Sequence, residues 1–306
     1  MKIRVLGSAA GGGFPQWNCN CRNCAGVRAG TLRTQRRTQS SIAVCGSDVT
    51  KWALVNASPD ILSQLQANLV LQPARQPRDT AVVAVVLVDG QIDHTTGLFM
   101  LRESRQPLAI WCTDQACEDL TEGNPVFRVL AAYCGIDRRV MRADGREFVV
   151  DGVSDVSWRA IAVASKPAPY SPHREAPVPG DNVALVIRDG ASRRSAVYAP
   201  GLGSMEEAVW REMHATDCVL VDGTFWRDEE MIELGFSKKR AREIGHLPQS
   251  GPGGMLEWLE QLPPSTRRIL IHVNNTNPIL DEDSPERAEL TRRGIEVACD
   301  GQEIEL

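Results

Sequence analysis

The sequence predicts an α/β protein: a four-layer αβ/βα sandwich forming a single domain over residues 1–306, with two β-sheet halves of about 1–151 and 152–306. Three observations point there. Short apolar runs that fit buried strands recur through both halves, helical patterns lie between them, and several runs stop at a polar turn carrying metal-ligand residue types. That last feature marks the crevice side of open α/β sheets, where the strand fixes the backbone and the loop presents side chains. The chain is long enough to bury a substantial core. No clean sequence repeat is visible, so internal duplication is suggested only by the order of elements.

Taken in order, residues 2–6 alternate like a strand and run into the glycine-rich loop 7–13, where backbone can approach another group closely. The loop lacks the spacing of a nucleotide-binding turn, and no helix pattern follows it. Residues 41–45 and 52–56 read as strands around a Gly46-Ser47-Asp48 turn, and a helix follows over 61–71. The run 81–88 reads as a strand buried on both faces that breaks at Asp89-Gly90 into a turn bearing Gln91, Asp93 and His94, ahead of a helix beginning near Thr95. Helix over 96–103, strand over 108–113, and helices over 115–120 and 127–133 complete the first half. In the second half strands are expected at 157–164, 183–188, 196–199, 218–221 and 268–273. Helices are expected at 204–214, 227–234, 255–261 and 284–293, the first opened by a Ser204/Glu207 capping box. The Pro-rich stretch 167–180 separates two strands and reads as a mobile lip over the crevice.

Composition narrows the function. A net charge of −5 gives no general attraction to nucleic acid or to an anionic membrane. The apolar runs are far too short to span a bilayer, and the opening MKIRVLGSAAGGG makes a poor signal peptide, so a soluble cytoplasmic protein is expected. Nine cysteines suit a disulfide framework badly. Three of them, Cys19, Cys21 and Cys24, fall within six residues and can converge on one ion, with zinc the natural partner of thiolates. A fourth ligand has to come from elsewhere.

Five histidines can be weighed one by one. Asp93 and His94 offer a hard oxygen and a borderline nitrogen to one metal, whereas in isolation Asp93 reads as a helix cap and His94 as a packing residue. His272 ends an apolar strand and enters the polar loop 273–278, and Asp222 ends another. Together these make a two-histidine, carboxylate-rich cluster that suits non-haem Fe(II) and its oxygen chemistry; zinc suits the same donors. His246, in a loop entering a helix, is equally readable as a proton-transfer group or as a hydrogen-bonded structural residue. His173 and His214 read as surface residues. The basic segment 33–39 reads as a solvated face that could also meet an anionic substrate.

The segments KIRVLGSAAGGGFPQWNCNCRNC, VNASPDI, VLVDGQIDHTTGL, YAPGL, LVDGTFW, GHLPQSG and HVNNTNPIL, spread over essentially the whole chain, resemble the metallo-β-lactamase superfamily and, within it, the PqqB family of pyrroloquinoline quinone (PQQ) biosynthesis. The superfamily signature is HxHxDH. Here Asp89 and Gln91 stand at the two histidine positions of the first metal, while Asp93 and His94 match the last two, with His272 as the matching late histidine. The usual bridging aspartate is expected just after the strand 196–199, where this chain reads Pro200-Gly201-Leu202. The resemblance therefore implies a single-metal site with weakened hydrolytic machinery. It implies Fe(II) held by Asp93, His94 and His272, Asp89 or Asp222 completing the shell or orienting a ligand, and His246 as acid or base to a phenolic substrate. The implied reaction is oxygenation of a precursor derived from cross-linked glutamate and tyrosine. It also implies structural zinc at the cysteine cluster, completed in related members by a later histidine; none follows His272 here.

Three functions compete: the iron-dependent hydroxylase, a metal-dependent hydrolase resting on fold analogy alone, and a carrier of PQQ or its precursor. For the carrier, Arg33, Arg36, Arg37 and Lys166 are the cations that would hold an anionic tricarboxylate. The seven tryptophans are spread evenly and mark no interface, and a homodimer is left open.

Overall fold

The computed structural model describes residues 1–306. Six strands open the chain and belong to the first sheet: β1 (Lys2–Gly7), β2 (Ser41–Cys45), β3 (Trp52–Val55), β4 (Val82–Val86), β5 (Leu108–Cys112) and β6 (Ile136–Val140). Seven follow in the second: β7 (Asp144–Val149), β8 (Val156–Ala162), β9 (Val183–Asp189), β10 (Ser195–Ala199), β11 (Cys218–Asp222), β12 (Arg267–Ile271) and β13 (Ile295–Val297). The last strand, β14 (Glu303–Glu305), crosses back to the free edge of β1.

Each sheet has seven strands, in the orders β14-β1-β2-β3-β4-β5-β6 and, read from the antiparallel edge, β7-β8-β9-β10-β11-β12-β13. The pairing runs the same way in both, three antiparallel ladders followed by three parallel ones. β4 and β11 therefore hold equivalent places. The duplication that element order only suggested is explicit in the topology. The division between sheets falls between β6 and β7, ahead of the expected 151, and β14 breaks the simple split into two halves.

Three apolar layers hold the sandwich together. Val5, Val44 and Val86 of the first sheet meet Leu185, Tyr198 and Ile269 of the second in the central layer. Outside the first sheet lie α2 (Ile61–Ala67), α3 (Ile92–Thr95), α4 (Asp114–Glu118) and α5 (Val126–Leu130), over a layer containing Leu54, Leu87 and Ile110. Outside the second lie α6 (Glu207–His214), α7 (Glu230–Glu233), α8 (Met255–Glu260) and α9 (Pro285–Arg292), over Val197, Val219 and Leu270; the N-terminal helix α1 (Arg22–Ala29) packs on this layer through Cys24. No helix is long and apolar enough to cross a membrane.

Several local expectations fail for identifiable reasons. The edge strands β6 and β7 carry charged residues at adjacent positions, Asp137-Arg138-Arg139 and Arg146-Glu147, that mask their periodicity, as sheet edges often do, and β13 and β14 are only three residues each. The Ser204/Glu207 box does not form: α6 starts at Glu207, Glu206 stands at its N-cap, and the Glu206 carboxylate accepts instead from Ala164 N at 2.9 Å. Asp93 is no cap either, because α3 begins at Ile92 and places Asp93 inside its first turn.

Candidate metal centre

The loops after β4 and β12 bring Asp93, His94 and His272 together across the gap between the sheets. Their donor atoms all lie within 4.8 Å of one another. Asp93 Oδ2 is 3.2 Å from His272 Nε2 and 3.9 Å from His94 Nε2. The glycine loop after β1 closes one side, and a Cβ at Gly11 would sit 3.2 Å from Asp93 Oδ2. The close backbone approach expected of that loop is thus made against Asp93.

What fixes this geometry is the far nitrogen of each ring. His94 Nδ1 donates to both oxygens of Asp89, at 2.8 and 2.9 Å. Thr224 Oγ1 gives its proton to the His272 carbonyl at 2.9 Å, so its lone pairs accept from His272 Nδ1 at 2.9 Å. Each ring is locked with Nδ1 outward, leaving Nε2 for the crevice, the arrangement second-sphere partners give to metal-ligating histidines. His94 Nε2 is buried with no hydrogen-bond partner. A buried orphan nitrogen facing a carboxylate oxygen and a second imidazole fits a divalent cation. Asp89, expected either to complete the shell or to orient a ligand, has both oxygens on His94 and is placed to orient it.

His272 itself sits at φ +62°, in the left-handed region that non-glycine residues rarely occupy. Bonds on both sides hold it there: Thr224 Oγ1 on its carbonyl, and Val273 N donating to Ser8 O at 2.9 Å. Strain maintained in this way is common where a backbone must aim a functional side chain.

A third imidazole stands beside the cluster. His246 stacks on His272 with ring centroids 5.4 Å apart, and Phe225 meets it edge-on at 5.8 Å. Its Nδ1 donates to Asp222 Oδ2 at 2.8 Å. Asp222 also accepts from Leu202 N and Thr224 N, each at 3.0 Å. Asp222 thereby ties the end of β11 to the loop after Ala199, and its oxygens are spent on that loop, on Thr224 and on His246 instead of reaching the Asp93/His94/His272 group. Asp222, His246 and His272 form a second close group of donors, but hydrogen bonds already occupy Asp222 and the His246 Nδ1 face.

Electrostatics follow burial and charge. Burial opposes ionisation of Asp93, yet His94 and His272 hold its carboxyl well below the usual range. Burial likewise opposes the charged form of His94, but Asp89 and Asp93 outweigh it and push the ring up to about 9. In the Asp222–His246 pair burial again works against both charges, and mutual attraction lowers the carboxyl and raises the imidazole.

The cations expected at the crevice are mostly elsewhere. Arg33 is exposed and pairs with Glu282 at 2.9 Å and Asp283 at 3.1 Å. Arg37 is buried, donating to the Ala298 carbonyl and to Ser8 Oγ at 3.0 Å, and its role is to pin the 37–39 segment against the C-terminal region. Arg36 is exposed away from the crevice. Lys166 alone of the four lines it, joined by Arg174 and Asn182, which sequence reasoning passed over because a lone arginine in a Pro-rich stretch gives no signal. His173 is half-buried on Asp181 at 2.7 Å and His214 ends α6 in solvent.

Cys19, Cys21 and Cys24 do converge, with Sγ atoms within 4.8 Å. At their fourth corner is Asn275, its amide 3.1, 3.6 and 3.3 Å from the three sulfurs. Three thiols with an amide among them fit a cation once the amide turns its oxygen inward, since a thiolate set attracts one and Asn can present either end. Asn275 lies three residues beyond His272, and Asn23 of α1 donates to its carbonyl at 3.1 Å. The cysteine cluster thereby braces the loop that carries His272.

The family described as "Beta-lactamase superfamily domain" matches residues 51–273. Over its whole length the chain is 62% identical to all of "Coenzyme PQQ synthesis protein B" of Azoarcus sp. (strain BH72). The chain belongs to the coenzyme PQQ synthesis protein B (PqqB) family. It is also 60% identical to the protein of that name from Cupriavidus necator, over 99% of both chains. Among solved structures, "Zn(2+)-bound PqqB from Methylobacterium extorquens" superposes with a TM-score of 0.90 at 36% identity, covering both chains completely. The metallo-β-lactamase fold is thus established for the whole chain.

Proposed function

We propose that the protein is an enzyme of PQQ biosynthesis, a non-haem iron-dependent hydroxylase acting on the precursor derived from glutamate and tyrosine. One observation carries the reading: a carboxylate oxygen and two imidazole Nε2 atoms converge, with both rings held from behind so that their free nitrogens face one point. Asp93, His94 and His272 would hold one Fe(II), a two-histidine, one-carboxylate set that leaves positions open. Bound there, ferrous iron supplies the redox chemistry of dioxygen. The chain's own residues do the rest. His246, aligned by Asp222, presents Nε2 to the crevice as acid or base for a phenolic hydroxyl. Phe225 packs on that imidazole, limiting its rotation. Cys19, Cys21 and Cys24, with Asn275, would hold a structural zinc, in keeping with the "Zn(2+)-bound" description of the Methylobacterium extorquens relative.

The test is oxygen consumption by Fe(II)-loaded protein coupled to hydroxylation of an authentic precursor, with Asp93→Ala reducing both to background and removing the crevice metal. Iron-loaded protein that leaves the precursor unchanged in air rules the reading out. A carrier role is the second reading, favoured by the cations Lys166 and Arg174 in the same crevice. Tight quinone binding that survives loss of Asp93 and His94 supports it over catalysis.

A further inference from the structure

The connection between β8 and β9, residues 163–182, brings three nitrogen-bearing side chains into the crevice wall beside the metal-ligand cluster: Lys166, Arg174 and Asn182. All three are under-used. Lys166 is half-buried and forms no ion pair and no side-chain hydrogen bond. Arg174 spends one nitrogen on the Pro167 carbonyl, which fixes the guanidinium within its own loop, and has no carboxylate partner. Asn182 is buried opposite Asp89, and its Nδ2 has no partner at all. Half-buried Arg159 and Arg267 show the alternative, each held by two nitrogens on one carboxylate, Glu212 and Glu296.

The acids in the same wall cannot serve these donors. Asp89 is committed to His94, and Asp93 faces His94 and His272. Two unpaired cations and an orphaned amide donor in one concave surface therefore lack an anion. A buried N–H without an acceptor is costly, and a ligand oxygen would relieve that cost. The guanidinium, having given one arm to backbone, retains donors that suit the two oxygens of a carboxylate.

We propose that Lys166, Arg174 and Asn182 form the seat for a carboxylate of a small-molecule ligand, positioning it against the Asp93/His94/His272 cluster. This deepens the proposed function, on which it rests, by assigning the anionic end of the substrate to the 163–182 connection and not to the basic segment 33–39. The seat binds and orients. His246 and the metal ligands remain the groups that meet the reacting atoms.

The experiment uses metal-free protein, so that no cation can bind the probe, with glutarate as the dicarboxylate and glutaramide as its neutral counterpart, followed by NMR titration. Glutarate should bind at least tenfold more tightly than glutaramide. Arg174→Gln should weaken glutarate about tenfold, the loss of a charge-assisted pair, and Arg174→Lys should weaken it less. Lys166→Gln, which removes no ion pair or side-chain hydrogen bond within the protein, should weaken it several-fold and carries the test should an Arg174 variant fail to fold. In a separate sample reloaded with metal, each variant should take up as much at the Asp93/His94/His272 cluster as the parent. No glutarate binding by the parent, equal binding of glutaramide, or unchanged affinity in both Lys166→Gln and Arg174→Gln overturns the proposal. The binding measurements do not use turnover, which is scored separately. A protein that binds glutarate as described yet consumes no oxygen defeats the hydroxylase and leaves the seat standing; one that turns over normally with Lys166 and Arg174 replaced defeats the seat alone.

Discussion

β4 and β11 hold equivalent places in their sheets, and the same five residues, Val-Leu-Val-Asp-Gly, stand at or just past their ends, at 86–90 and 219–223. In both, the aspartate accepts from the Nδ1 of a histidine, His94 for Asp89 and His246 for Asp222. In both, the following glycine admits a neighbour that a Cβ would strike: Asp119 Oδ2 at 2.6 Å from Gly90, and the Ile271 carbonyl at 2.9 Å from Gly223. The turns then diverge. After Asp89 the chain starts a helix at once and delivers Asp93 and His94 four and five residues on. After Asp222 it supplies Thr224, which aims His272, and reaches His246 only through a long connection. One turn grips, and the other aims. A single strand ending has been put to two uses, and only the residues after it decide which.

That contrast can be broken experimentally. The largest effect is expected from Asp222→Asn. The amide would present an N–H to His246 Nδ1 and force the opposite tautomer, and a comparable tautomer error in a serine protease triad costs about ten-thousandfold. We expect turnover to fall by about a thousandfold or more with crevice metal retained, checked by metal analysis beside steady-state rates. Next is His246→Gln, for which loss of a positioned acid or base predicts a drop of about 10²–10⁴-fold, again with metal in place. Asp89→Asn should do the reverse, weakening metal affinity about 10–100-fold, as second-sphere changes do, measured by competition with a chelator. If Asp222→Asn loses the metal while Asp89→Asn keeps it, the division of roles is inverted.

A pH titration sharpens the same point. In metal-free protein His94 is raised from 6.5 to about 9, burial opposing and Asp89 and Asp93 prevailing. A raised value means that the stability from this contact is complete below pH 6.5 and is lost as the pH climbs through about 9. Metal needs the neutral ring, so apparent affinity should fall about tenfold per unit as the pH drops below 9. Thermal unfolding without metal and metal titrations at pH 7 and 9 check both. The smallest effect on metal affinity belongs to Thr224→Val, which removes the hydrogen bonds at both His272 Nδ1 and the His272 carbonyl and should cost about 2 kcal/mol of stability with a few-fold loss of metal affinity, checked by denaturant unfolding and chelator competition.

Much of this was legible because strand and ligand were written next to each other. An apolar run closing on Asp-Gly announces a buried strand and its turn, so the placement of Asp93, His94, Asp222 and His272 at strand ends could be read directly. The cysteine cluster was legible for the same local reason. Arg33 and Arg37 misled because a basic run states charge and says nothing about partners: Glu282, Asp283 and the Ala298 carbonyl are some 250 residues away. Ser204 misled because Glu206 found Ala164 across the fold and moved the helix start.

By itself the amino-acid order determined the two-sheet α/β architecture, the turns that carry donors, and the three thiols, since each depends on periodicity or spacing within a dozen residues. Only the tertiary structure decided which oxygen stands behind which imidazole, that Asp222 holds the loop after Ala199, that Asn275 completes the cysteine corner, and that Lys166, Arg174 and Asn182 share one wall. Those pairings join residues on different strands and loops. Their energies depend on distance and burial in three dimensions, which a one-dimensional pattern does not encode.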